Sequence, residues 1–146
     1  MTCTFFGHRD TSFNIEEKLR LMLIDLIENK EVDLFYVGNN GNFDHMVIRM
    51  LKLLKLKYPH IRFLIVLAYM PGKNNYLNYE YNLDTIYPDV LENTPPKYAI
   101  VKRNRWMIDK SDYVVTYVKC AIGGAARFKE FSEKKGKIVF NIADLD

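Results

Sequence analysis

The sequence predicts an α/β protein: a three-layer, doubly wound (Rossmann-like), mostly parallel sheet of about five strands, with helices on both faces. Three observations carry this expectation. Five short runs rich in β-branched and aromatic residues hardly alternate with polar ones, the pattern of strands buried on both faces. Amphipathic segments of helical period lie between them. Several runs end at a glycine just before such a segment, the punctuation of a β-α-β unit.

Thr4-Phe5-Phe6 is the first run, closed by Gly7. Asn14, with Glu17 three residues on, makes a capping box for a helix striped by Ile15, Leu19, Met22, Leu23, Leu26 and Ile27. Asp33 to Val37 ends at Gly38. The next helix covers about Asp44 to Tyr58, with Val47, Leu51 and Leu54 on one face and Pro59 as its stop. Phe63 to Leu67 is the third run. A third helix is predicted over about Tyr98 to Asp109, followed by the run Tyr113 to Val118. A fourth covers about Ala125 to Lys135, with Phe128 and Phe131 inward and Gly136 suited to its C′ position. Ile138 to Ile142 is the last run. The exception is a Tyr-rich insert at about 69–97, holding Tyr69, Tyr76, Tyr79, Tyr81 and Tyr87. Long segments of this kind serve as lids or small helical additions. Residues 1–146 read as a single domain.

Composition narrows the function. Hydrophobic residues at 49% exclude a disordered chain. Lys and Arg number 21 against 18 Asp and Glu, and a net charge of +3 is too mild to argue for nucleic acid by itself. The longest uncharged apolar run, Phe63 to Met70, is far too short to span a membrane. The start MTCTFFGHRD lacks the basic and apolar regions of a signal peptide, so a cytoplasmic protein is expected. Cys3 and Cys120 read as free thiols of a reducing compartment. His8, His45 and His60 have no metal-ligand company, so no metal and no cofactor are expected.

Open parallel sheets bind ligands outside the carboxyl ends of their strands. After the first run comes Gly7-His8-Arg9-Asp10. Glycine permits a sharp turn or close approach, and Arg9 offers a planar fork for phosphate or carboxylate. Arg9 can equally pair with an acid, and His8 reads as either a structural or a catalytic histidine. After the second run comes Gly38-Asn39-Asn40-Gly41-Asn42-Phe43-Asp44, feeding a helix. Glycines at a helix N-terminus make a phosphate cradle. Asp44 then either offsets the helix dipole, orients the loop or holds a sugar hydroxyl. Gly123, Gly124 and Ala125 open the last helix in the same way, for a ligand or for close helix–sheet packing. On the third helix, Asn104 lies at the edge of an apolar stripe and needs a partner, a loop or a ligand. Arg103 lies beside it. Trp106 either packs or stacks on a cation or base.

Four segments, TCTFFGHRD, VGNNGNFD, KRNRWMIDKSDYVVTYV and GGAARFKEFSEKKGKIVFNI, resemble the YpsA/YoqJ-like (DUF1273-type) proteins of the SLOG superfamily. The resemblance covers nearly the whole chain and is weakest over 72–97. It implies a Rossmann-like fold and a site built from Gly7, His8 and Arg9 (the GHR motif), from Gly38, Gly41 and Asp44, from Arg103, Asn104 and Trp106, and from Gly123, Gly124 and Ala125. Asn39 and Asn40 replace the small residues usual in the second loop. The superfamily includes lonely-guy phosphoribohydrolases, DprA-type DNA-processing proteins, and sensors of nucleotides or NAD-derived signals. The hydrolase signature PGGxGTxxE is absent: Lys129 stands where that family has its glutamate, with Glu130 one position later. Only Glu80, Asp84 or Asp44 can substitute as the catalytic acid. The expectation is therefore binding of a nucleotide-type or NAD/ADP-ribose-derived small molecule, as sensor, carrier or sequestering protein. N-glycosidic hydrolysis of a nucleotide ranks second, and DprA-like binding of single-stranded DNA ranks last, so nucleic acid is the least favoured partner. Homo-oligomers are compatible with the sequence, and a membrane is not expected.

Overall fold

The computed structural model describes residues 1–70 and 84–145. Its strands are β1 (Thr2–Gly7), β2 (Leu34–Val37), β3 (Arg62–Val66), β4 (Thr85–Ile86), β5 (Tyr113–Tyr117) and β6 (Ile138–Asn141). Its long helices are α1 (Glu16–Asn29), α2 (Gly41–Lys57), α3 (Ala99–Asp109) and α4 (Gly124–Lys134). The strands form one sheet in the order β4-β3-β2-β1-β5-β6, and every neighbouring pair is parallel.

The two central strands explain why the apolar runs lack alternation. All five residues of β5 and the four inner residues of β1 are buried. In β1, Cys3 and Phe5 face the layer made by α1 and α2, and Phe6 faces α3 and α4. Phe5 stacks on Phe35 at 6.0 Å in the first layer, and Phe6 on Phe128 at 5.3 Å in the second. Sandwiching between helical layers demands apolar side chains on both sides of a strand. The outer strands relax this: every residue of β6 keeps some exposure.

The α/β architecture is as the sequence predicts, with local differences. A sixth strand, β4, lies inside the stretch read as the insert. Two residues are too short to make an apolar run, and β4 exists because Ile65 and Leu67 N–H groups donate to Asp84 and Ile86 carbonyls at 3.0 and 2.8 Å. The Asn14 capping box does not form. Ser12 accepts from the Asn14 N–H at 3.4 Å, a short 3-10 turn precedes α1, and Glu17 pairs with Arg20 at 2.6 Å. Helix α2 begins at Gly41, three residues before the predicted start, and Gly41 makes the turn into it at a φ of 90° that only glycine adopts readily.

Candidate functional site

Chain order runs outward from β1 through β2 and β3 to β4, then returns to place β5 on the other side of β1. The reversal lies between β1 and β5, the place where open parallel sheets form a ligand crevice. The first and last glycine loops of the sequence both open there. The β5–α4 loop is tied to the β1 loop by the Lys119 N–H, which donates to His8 Nε2 at 3.1 Å. His8 is thus an acceptor that joins the two loops, with its ring edge-on to Tyr117 at 6.3 Å. Its own carbonyl accepts from the Thr11 hydroxyl at 2.6 Å, which tightens the turn.

Arg9 is exposed, and it has no carboxylate partner among the described residues, so the alternative of pairing with an acid, Asp10 included, does not occur among them. Its backbone anchors the next loop: the Asn42 N–H donates to the Arg9 carbonyl at 2.8 Å. A Cβ at Gly41 would sit 2.7 Å from the Arg9 Cα, so the glycine serves contact between two loops. Gly7 also serves packing. A Cβ there would lie 2.3 Å from the ring of Phe43, which fills the space beneath the turn. Gly123 and Gly124 differ from both. A Cβ at either would meet nothing within 4 Å, and Gly123 has a φ of 115°. The N-terminus of α4 is therefore open, its first N–H groups unobstructed by side chains.

Beyond β2 lies a buried polar knot. Arg103 of α3 is 2% exposed. Its Nε donates to Asn104 Oδ1 at 2.7 Å, and its Nη1 to the Val66 carbonyl at 3.0 Å and Asn39 Oδ1 at 3.3 Å. With the Asn40 amide oxygen turned toward the guanidinium, it accepts from Nη2 at 3.1 Å. Asp44 Oδ2 accepts from the Asn40 N–H at 3.0 Å. The loop Gly38–Asn40 is thus held from two sides. Gly38 is required because a Cβ would lie 2.8 Å from Asp44 Oδ2 and 3.3 Å from Arg103 Nη1. Burial pushes the Asp44 carboxyl up to about 6, opposed by the Asn40 N–H, Arg103 and His45. Burial also pulls the Arg103 guanidinium down, opposed by Asp44 and Tyr69. The charge at Arg103 rests on neutral oxygens and on an acid more than 4 Å away, an arrangement that holds geometry rather than binding tightly.

The structure therefore gathers most of the expected residues into one hydrogen-bonded edge: His8 and Arg9 at the crevice, Gly123, Gly124 and Ala125 across it, and Asn39, Asn40, Asp44, Arg103 and Asn104 behind. Two expected residues stand elsewhere. Trp106 packs edge-on against Tyr36 at 5.1 Å, between α3 and the sheet, with Lys110 over its ring. Asp84 immediately precedes β4, the outermost strand, which lies about 19 Å from β5 at four strand spacings. Glu80 lies outside the described residues, as do Tyr76, Tyr79 and Tyr81. Asp44 is enclosed, so it is poorly placed to activate water. Sequence reading missed Asn141, whose amide accepts from the Val118 N–H at 2.9 Å and donates to the Val118 carbonyl at 3.0 Å, bracing the end of β5. Its one signal was a polar residue inside the apolar run IVFNI.

No family model matches the chain, and no curated protein matches it. Solved structures do. DNA processing protein A (DprA) from Streptococcus pneumoniae matches with a TM-score of 0.65 and 18% identity, covering 96% of this chain and 49% of that one. DprA from Helicobacter pylori, whose single-stranded DNA binding mode its structure describes, matches with a TM-score of 0.66 and 15% identity, covering 97% and 64%. The chain thus spans 49% and 64% of the length of these two proteins. The likeness shows the fold, a Rossmann-like α/β domain with one parallel sheet of six strands. It also corrects the order of preference drawn from the sequence. Both neighbours are DNA-processing proteins, and one is described by its single-stranded DNA binding. The ranking of a small nucleotide-type ligand first, and of nucleic acid as the least favoured partner, is overturned. The physical error was to judge nucleic acid by net charge, since a modest total says nothing of where the cations lie. Among the described residues, no helix is long and apolar enough to cross a membrane.

Proposed function

We propose that this chain binds single-stranded DNA along the carboxyl edge of its sheet. The observation that carries the reading is its likeness, over nearly its whole length, to two DNA-processing proteins. The edge has the parts such binding needs. Arg9 and Lys119 are exposed cations on either side of the crevice. The open N-terminus of α4 presents backbone N–H groups beside them, suited to a phosphate oxygen. Ile122, 86% exposed at the tip of the β5–α4 loop, offers an apolar contact to an unstacked base. His8 and the Arg103–Asp44 knot act behind these groups, fixing the loops rather than touching DNA.

The finer assignment to the YpsA/YoqJ-like branch belongs to the same proposal and rests on GHR at 7–9 and on the GGAAR segment at 123–127. So do the single domain over 1–146, with its insert at about 69–97, and the cytoplasmic location.

The test is fluorescence anisotropy with a labelled dT20 oligonucleotide at 50 to 200 mM salt. The parent should bind, with affinity falling as salt rises. Arg9→Glu should weaken binding about tenfold and make the log–log salt slope shallower by ~0.7, the share of one phosphate on a single strand. Absence of binding at 50 mM salt, or binding indifferent to salt, overturns the reading.

A further inference from the structure

We propose that the groove between α3 and α4 is a second track for the same strand, carrying it away from the carboxyl edge across the face of the molecule. This rests on the DNA-binding reading above. The groove has a volume of about 560 Å³, and its lining includes Ile100, Arg105, Gly124, Arg127, Phe128 and Phe131. Gly124 belongs to the open end of α4, so the groove is continuous with the carboxyl edge.

Charge complementarity selects the occupant. Residues 99–110 and 124–135 hold eight Lys and Arg against three acids, while the whole chain nets only +3. The rest of the molecule is therefore net acidic, and the basic character is concentrated on this layer. Each of the three acids is already matched: Asp109 by Lys135 at 3.7 Å, Glu130 by Lys134 at 3.1 Å and Glu133 by Lys129 at 2.6 Å. Lys102, Arg105, Lys110 and Arg127 have no carboxylate partner among the described residues, and all four are exposed. Arg105 and Arg127 both line the groove, and cations there without a counter-charge attract a polyanion.

Aromatic interleaving favours a nucleic acid over an acidic peptide. The Arg105 guanidinium lies over the Phe131 ring at 5.3 Å, and Lys135 Nζ lies 5.4 Å from the same ring. Ile100 and Phe128 supply apolar floor beside them. Bases stack on such rings and on guanidinium planes, while phosphates meet the cations.

The experiment compares dT6 with dT20 on the full chain, using Arg105→Glu/Arg127→Glu, with its fold verified by circular dichroism melting. If the groove extends the site, the double variant loses at least tenfold in affinity for dT20 and its salt slope becomes shallower by ~1.4, the share of two phosphates. Affinity for dT6 changes less than twofold, because a short strand is held at the carboxyl edge. Arg105→Gln/Arg127→Gln gives the same order with a smaller loss. Equal losses for both lengths, or no loss for either, overturn the groove while leaving DNA binding intact. A poly-glutamate 20-mer that binds the parent more tightly than dT20, and loses affinity in the double variant, overturns it in favour of an acidic protein partner. Failure of the parent to bind either oligonucleotide removes the DNA reading itself.

Discussion

Replacing Asp44 with asparagine is expected to stabilise the protein at neutral pH and to lose that advantage in acid. Asp44 is buried, and burial lifts its carboxyl from the ordinary 3.8 to about 6. The folded chain therefore holds a proton that the unfolded chain releases. The stability associated with that proton is fully present below about 3.8, declines as pH rises toward 6, and is gone above it. The pKa difference is worth ~3 kcal/mol. Asparagine is neutral at every pH and keeps an oxygen for the Asn40 N–H. The attraction lost to Arg103 is already contained in the raised value. Against the gain, the new amide N–H groups need partners in a buried site, which costs ~1–2 kcal/mol. A net gain of ~1–2 kcal/mol is expected at pH 7.5, or ~0.5–1 M in the urea midpoint, shrinking to nothing or reversing at pH 4. Urea denaturation of parent and Asp44→Asn at the two pH values measures it. If the variant is less stable than the parent at pH 7.5, the charged carboxylate is required to compensate Arg103, and the desolvation reasoning is wrong.

Two further outcomes follow from the loop geometry. Gly7→Ala places a methyl against the buried Phe43 ring, and the overpacking should destabilise the fold by ~1–3 kcal/mol in denaturant titration; the double variant Gly7→Ala/Phe43→Leu should recover part of that loss. Asn141→Ala strips the Val118 backbone of both its amide partners, at a cost of ~1–3 kcal/mol, and should speed hydrogen exchange at the Val118 amide while leaving the centre of β1 protected.

The helices and five of the six strands were legible because the relevant signals are local. A strand sandwiched between two helical layers is mostly apolar, and β1 and β5, apart from the buried hydrogen-bonded Thr4 and Thr116, read that way before any pairing is known. Gly136, at a φ of 77° just past α4, was legible for the same reason: only glycine turns there without strain. Strand β4 was not, since two residues carry no period and their pairing with β3 is decided by the sheet edge. The glycines show the limit most clearly. Gly7, Gly41 and Gly123 all read as openings for a ligand, yet the first two are occupied by Phe43 and Arg9, and only the third faces open space.

By itself the sequence determined the fold class and the order of all its long elements, because propensity and period are properties of neighbouring residues. The tertiary structure alone decided which of those residues meet. It buried Arg103 against Asn39, Asn104 and the Val66 carbonyl, turned Trp106 away into the packing with Tyr36, and moved Asp84 to the far edge. It also gathered unpaired cations on the α3–α4 layer of a chain whose total charge is small. Packing and electrostatics act between segments distant in sequence, and a net charge has no direction until the chain is folded.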